Sequence, residues 1–116
     1  MDSILTSTKK LLGIAEEDTS FDTDIIMHIN TVFSILTQLG VGPPEGFSIV
    51  DNSAVWTDYI QANPRLELIK SYMYMKVRLM FDPPLSSSIT QILNERIAEL
   101  EWRINVTVDP GDGGDS

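Results

Sequence analysis

Apolar side chains recur along most of this chain at steps of three and four, the spacing that places them on one face of a helix. The spacing predicts five helices, over residues 3–12, 22–39, 54–60, 64–81 and 88–105. Asn63 and Pro64 favour a helix start there, because asparagine caps well and proline is tolerated in the first turn. Pro83 then ends that helix, since it cannot continue the hydrogen-bond ladder. These signals predict an all-α protein.

The connection over 41–53 is rich in glycine and proline and predicts one long loop. Within it, Phe47-Ser48-Ile49-Val50 alternates weakly and predicts a short extended segment. We expect the helices over 22–39, 64–81 and 88–105 to pack as a small antiparallel bundle, with the first helix against one end. Residues 1–106 form one helical domain in this interpretation, and 107–116 form an acidic, glycine-rich, flexible tail.

The helix over 64–81 is apolar nearly all round, which is typical of a helix buried on several sides. In so short a chain, another subunit could cover one of those sides, so core burial and subunit contact both stay open. The candidate interface residues are large and apolar or aromatic: Trp56, Tyr72, Tyr74, Met75, Phe81 and Trp102. Tyr74→Asp or Met75→Asp should then weaken assembly more than folding. In the last helix, the apolar stripe includes Ile89 and Ile92, which we expect to face the core.

Charge excludes several functions for a chain of 116 residues with a net charge of −9. Tight binding to nucleic acid needs clustered lysine and arginine, and here the eight basic residues are scattered. The absence of cysteine excludes disulfides, thiolate zinc sites and cysteine nucleophiles. No apolar run is long enough to span a bilayer, and Met-Asp-Ser-Ile-Leu at the start does not resemble a signal peptide, so we expect no membrane association.

Catalytic chemistry finds little support in the sequence. His28 is the single histidine, and Asp24 lies one turn before it, an arrangement far commoner on a helix surface than in a hydrolase. Asp109, Asp112 and Asp115 do not have the spacing of a calcium loop. We therefore expect no enzymatic activity, no metal and no cofactor.

Several segments resemble the head–tail connector, or head-completion adaptor, proteins of tailed double-stranded DNA phages and prophages. The segments that carry the resemblance lie at 10–14, 21–30, 36–47, 56–58, 72–86 and 99–106. The most specific of them are Phe81-Asp82-Pro83-Pro84 and Glu99-Leu100-Glu101-Trp102-Arg103-Ile104-Asn105. None is a catalytic motif, so the resemblance indicates a family and not a site.

The resemblance implies a structural protein of the virion neck, present in the host cytoplasm during assembly. It implies a ring, dodecameric in the virion, that docks on the portal protein, binds a stopper or tail-completion protein and lets double-stranded DNA pass without sequence-specific binding. It also implies that the C-terminal region docks on the portal, with Asn105, Val106 and Val108 as candidates. A small helical interaction module, acting as a monomeric or dimeric regulator, is the alternative.

Overall fold

A computed structural model of the chain describes residues 3–60 and 64–108. Within these ranges the protein is helical and has no strand, which confirms the predicted all-α class. Its helices are α1 (Ile4–Leu12), α2 (Asp22–Gln38), α3 (Trp56–Tyr59), α4 (Pro64–Phe81) and α5 (Ser87–Val108). The last helix runs three residues beyond its predicted end at 105. Most of the predicted tail, residues 109–116, lies outside the described residues.

Helix α4 lies at the centre of the packing, in contact with α1, α2 and α5. Four of its side chains are fully buried: Ile69, Tyr72, Met73 and Val77. Helix α2 supplies five further core residues, most of them spaced three and four apart: Ile25, Ile29, Val32, Phe33 and Leu36. The main packing partner of α5 is α4 alone.

Both ends of α1 follow the sequence signals. The Ser3 hydroxyl accepts a hydrogen bond from the Thr6 amide at 3.1 Å, and Gly13 ends the helix in the left-handed conformation with φ +82°. Lys9 behaves differently from an ordinary basic residue of a last turn, because its side chain is 3% exposed. Its ammonium lies 3.0 Å from the Glu16 carbonyl, 2.8 Å from the Asp18 carbonyl and 2.9 Å from Asp22 Oδ1. Three acceptors thus match the three N–H donors of the ammonium, and they tie the 13–21 connection to α1 and α2.

The long loop is fixed by one side chain and one aromatic cluster. The Asn30 amide accepts a hydrogen bond from the Ile49 amide at 2.8 Å and donates one to its carbonyl at 3.0 Å. Asn30 therefore pairs with Ile49 as a neighbouring strand would, although no strand forms at 47–50. Phe33 holds the same loop through ring contacts with Phe47, at 5.1 Å between centroids, and with Tyr59, at 4.6 Å.

Substituting Gly42 tests how closely Tyr59 packs on this loop. A Cβ atom at Gly42 would lie 2.5 Å from Tyr59 Cε1, and the backbone has φ +79°. Gly13 has a similar φ of +82°, but nothing lies within 4 Å of its Cβ position. Gly13→Ala should cost about 1–2 kcal/mol through backbone strain alone. Gly42→Ala should cost about 1–3 kcal/mol more, because the ring must move. Urea denaturation of both variants measures the difference, and equal costs would contradict it.

Replacing Lys9 tests the ammonium contacts. Lys9→Met should lower the free energy of unfolding by about 2–3 kcal/mol, since two carbonyls and one carboxylate lose their donor. The estimate is below that of a fully buried pair because Asp22 is one quarter exposed. Lys10→Met, the same change at the exposed neighbouring position, is the control and should cost less than about 0.5 kcal/mol. Equal losses in urea denaturation would show that the Lys9 contacts are not stabilising.

Candidate interaction surfaces

Two of the six candidate interface residues belong to the core of the chain itself. Trp56 is 1% exposed, and its indole N–H donates to the Ser7 hydroxyl at 3.0 Å. Tyr72 is 0% exposed, and its hydroxyl donates to Glu101 Oε2 at 2.7 Å. Both side chains are covered by the chain itself, Trp56 against α1 and α2 and Tyr72 against α5. The sequence could not separate these cases, since core and interface anchors have the same composition.

Two candidates on α4 and one at its end are partly exposed. The Tyr74 hydroxyl accepts a hydrogen bond from Arg78 Nη1 at 3.0 Å, which holds the ring along the helix surface. Met75 is packed against the edge of the core. Phe81 makes an edge-on contact with the exposed Phe21 ring, at 5.4 Å between centroids. These three side chains remain available to a partner on one side.

The outer face of α5 carries the most exposed candidates. Trp102 is 66% exposed, and Val106 is 42% exposed. Asn105 is exposed beside them. Val108 is the last residue of the helix, and its side chain lies outside the described ones. Trp102 faces away from the core because Ile97 and Ile104, its buried neighbours on the helix, define the opposite face.

The first half of α5 is also more open than the sequence predicts. Ile89 is 49% exposed and Ile92 is 51% exposed, so the expectation that both face the core is wrong. Leu85, just before the helix, is fully exposed. The reason is that α5 has one main packing partner among the described helices, α4, and the buried face of α5 carries Ile97, Leu100 and Ile104. A periodic apolar pattern cannot show how many neighbours a helix has.

A groove of about 290 Å³ runs between α4 and α5. Leu68, Met75 and Leu100 supply its apolar lining. Arg96, Glu99 and Arg103 line the same groove from α5, as does Ser71 from α4. The Arg103 guanidinium pairs with Glu99 through Nη2 at 2.8 Å and Nε at 3.0 Å. The sequence did not predict this groove, because it depends on how α4 and α5 meet.

No catalytic or metal-binding arrangement appears among residues 3–60 and 64–108. His28 lies against the Phe81 ring at 6.4 Å between centroids, and within this part of the chain it has no hydrogen bond to Asp24. No group of three or more potential metal ligands occurs there either. The perturbed carboxylates have local causes: hydrogen bonds from Ser20 lower the pKa of Asp18, and those from Ser53 lower the pKa of Asp51. Such bonds stabilise turns.

The chain also matches a known protein family. A sequence model described as phage connector protein matches residues 4–111. The chain belongs to this family. Neither a curated protein nor a solved structure matches it. The resemblance noted from the sequence is thereby confirmed, and the role of this phage connector is structural, in the virion neck.

The connector family is structural and is not known for enzymatic activity. This agrees with the expectation from the sequence, where the His28 and Asp24 pair was interpreted as a helix-surface contact. Over the described ranges, none of the helices combines the length and the apolar character needed to cross a bilayer. The surfaces through which this connector contacts other proteins are therefore the features of interest.

The two buried tyrosines make a pH-dependent contribution to stability. Burial raises the pKa of Tyr59 to about 12, although the nearby Arg65 guanidinium lowers it. Burial also raises the pKa of Tyr72, and the Glu101 carboxylate raises it further by accepting its hydrogen bond and by its negative charge. Both phenols therefore stay neutral in the fold at a pH where they ionise in the unfolded chain.

The free energy of unfolding should fall as the pH rises from about 10 to about 12, because the unfolded state loses these protons first. This contribution is complete below about pH 10, where tyrosine is neutral in both states. Tyr59→Phe should reduce the fall by about 2–3 kcal/mol, as measured by urea denaturation across this range. Tyr74→Phe keeps both buried phenols and is the control. A wild-type stability that does not change above pH 10 would contradict the prediction.

Proposed function

We propose that this phage connector forms a ring beneath the portal, prolongs the DNA channel and joins the head to the tail. The observation that carries the proposal is the family match over residues 4–111. The ring would be dodecameric in the virion, with the portal protein on one side and a stopper or tail-completion protein on the other. The net charge of −9 suits a channel wall, since fixed cations would hold DNA phosphates.

An antiparallel bundle is the proposed scaffold of each subunit. Only residues 82–86 separate α4 from α5, and helices joined by so short a connection pack side by side in opposite directions. Tyr72, in the middle of α4, bonds to Glu101 in the second half of α5. This bond places the two helices side by side in contact.

Subunit contact is proposed through the surfaces that the chain does not cover itself. A ring needs two different complementary patches, because its contacts are heterologous. The outer face of α5, with Trp102, supplies one patch. Tyr74, Met75 and Phe81 on or at the end of α4 supply the second. Asn105, Val106 and Val108 remain the proposed portal-docking residues, since they end α5 next to its exposed tryptophan.

The proposed function is tested by mixing the purified connector with the portal protein of the same phage. Size-exclusion chromatography with light scattering should show a complex, and electron microscopy should show a ring. Trp102→Ala should raise the Kd of assembly by about 30-fold or more, as expected of a buried aromatic anchor. It should leave monomer stability nearly unchanged, since the side chain is 66% exposed.

Asn94→Ala is the matched control, because it removes an exposed polar side chain from the same helix. It should leave both assembly and stability as in the wild type. A connector that stays monomeric and does not bind the portal at several salt concentrations would count against the ring. The helical interaction module would then become the leading interpretation.

A further inference from the structure

The α4–α5 groove has a slightly positive lining, with two arginines and one glutamate, on a strongly acidic protein. Two of the eight basic residues, Arg96 and Arg103, line it. Glu99 pairs with Arg103 from one side and neutralises it in part. Arg96 is exposed and has no hydrogen bond or ion pair within the described part of the chain. Leu68, Met75 and Leu100 make the floor partly apolar, so the groove suits a short acidic segment.

The chain itself contains such a segment directly after α5. Residues 109–116 follow Val108 and contain Asp109, Asp112 and Asp115, with no basic residue among them. The same segment contains Gly111, Gly113 and Gly114, which allow tight turns. Its sequence is therefore complementary in charge to the groove and able to reverse direction after the helix.

The distance between the two arginines also matches the distance that two of the aspartates can span. Arg103 and Arg96 lie about 7.5 and 18 Å before Val108 along the helix axis, at 1.5 Å per residue. From Val108, four residues reach at most about 14 Å and seven residues about 25 Å, so Asp112 can reach Arg103 and Asp115 can reach Arg96. Arg96 and Arg103 are about 10.5 Å apart along the axis. Three extended residues, the step from Asp112 to Asp115, span about 10 Å.

The dipole of α5 also favours a path for residues 109–116 along the side of the helix. The C-terminal end of α5 carries partial negative charge from its free carbonyl groups, which disfavours carboxylates beyond it. A path along the side of the helix takes Asp112 and Asp115 away from that end and towards the two guanidinium groups.

We propose that residues 109–116 fold back into the α4–α5 groove of the same chain, with Asp112 beside Arg103 and Asp115 beside Arg96. The proposal does not rest on the proposed ring, since it concerns a contact within one chain. The occupied groove would cover Met75, which is one of the proposed subunit contacts.

A nitroxide label on the full chain tests the proposal. Because the chain has no cysteine, Ser116→Cys gives a single labelling site beyond Asp115. In the ¹⁵N-labelled protein at low salt, the strongest line broadening should fall on the amides of Arg96 and Met75, which lie along the groove away from the end of α5. A segment that projects from the helix would instead broaden residues 104–108 most, and this result would overturn the proposal.

Charge variants make the test specific. Arg96→Glu should reduce the broadening at Met75 by about half or more, because the new carboxylate repels Asp115. Combining Arg96→Glu with Asp115→Arg should restore it. Asp115→Asn should weaken it, whereas Asp109→Asn, the same change at a position with no assigned partner, should not. Raising the salt to about 1 M, where the Debye length falls to about 3 Å, should also weaken it.

A mixture of two differently labelled samples shows whether residues 109–116 occupy the groove of their own chain or of another copy. Spin-labelled ¹⁴N protein is added to unlabelled ¹⁵N protein, and the amides of the latter are observed. No broadening in the mixture supports docking within one chain. Broadening at Arg96 and Met75 in the mixture would show that the segment occupies the groove of another copy, and would overturn the proposal.

Discussion

The burial of α4 is the constraint on which the rest of this connector depends. Its eighteen residues include apolar side chains on more than one face, and a single neighbouring helix could not cover them. Helices α1, α2 and α5 therefore each pack against it. The chain has no further long helix in its described part to cover α5 in turn. The exposed face of α5, which carries Trp102, results from the use of the other helices to bury α4.

The connections between these helices are held by single polar side chains and not by sheets. Lys9 places its ammonium against two carbonyls of the 13–21 connection, and Asn30 pairs with both backbone groups of Ile49. Each side chain satisfies backbone groups that would otherwise lack partners near the core. The loops are thereby fixed on the helical frame, which allows a small domain to bury its apolar residues without a disulfide.

The sequence predicted those features that depend on local signals. The start of α4 at Pro64 and its end before Pro83 follow from the chemistry of proline, and the structure has both. The end of α5 was predicted too early, because nothing between 105 and 108 stops a helix and the first proline is Pro110. Buried Lys9 was missed, since its acceptors lie in a connection whose path has no periodic pattern.

Features that depend on the neighbours of a helix could not be predicted in this way. Ile89 and Ile92 continue an apolar stripe, yet no helix covers them. Trp56 and Trp102 looked equivalent in the sequence, but one is fully buried beside Phe33 and the other is mostly exposed. Periodicity gives the direction of a side chain relative to its own helix, whereas burial depends on what packs there. The α4–α5 groove was missed for the same reason.

The exposed apolar side chains of α5 are separated from one another. Such a surface is better suited to assembly on a template than to association of free copies of the connector. The exposed residues of α5 are spread over about five turns and are interrupted by Glu95 and Glu99, so no large continuous patch forms. The net charge of −9 also opposes contact between free copies, and it does so most at low salt. In the proposed ring, a portal that holds several copies side by side raises their effective concentration, and weak contacts then suffice. In that proposed ring, the features that oppose association of free copies would direct their association to the portal.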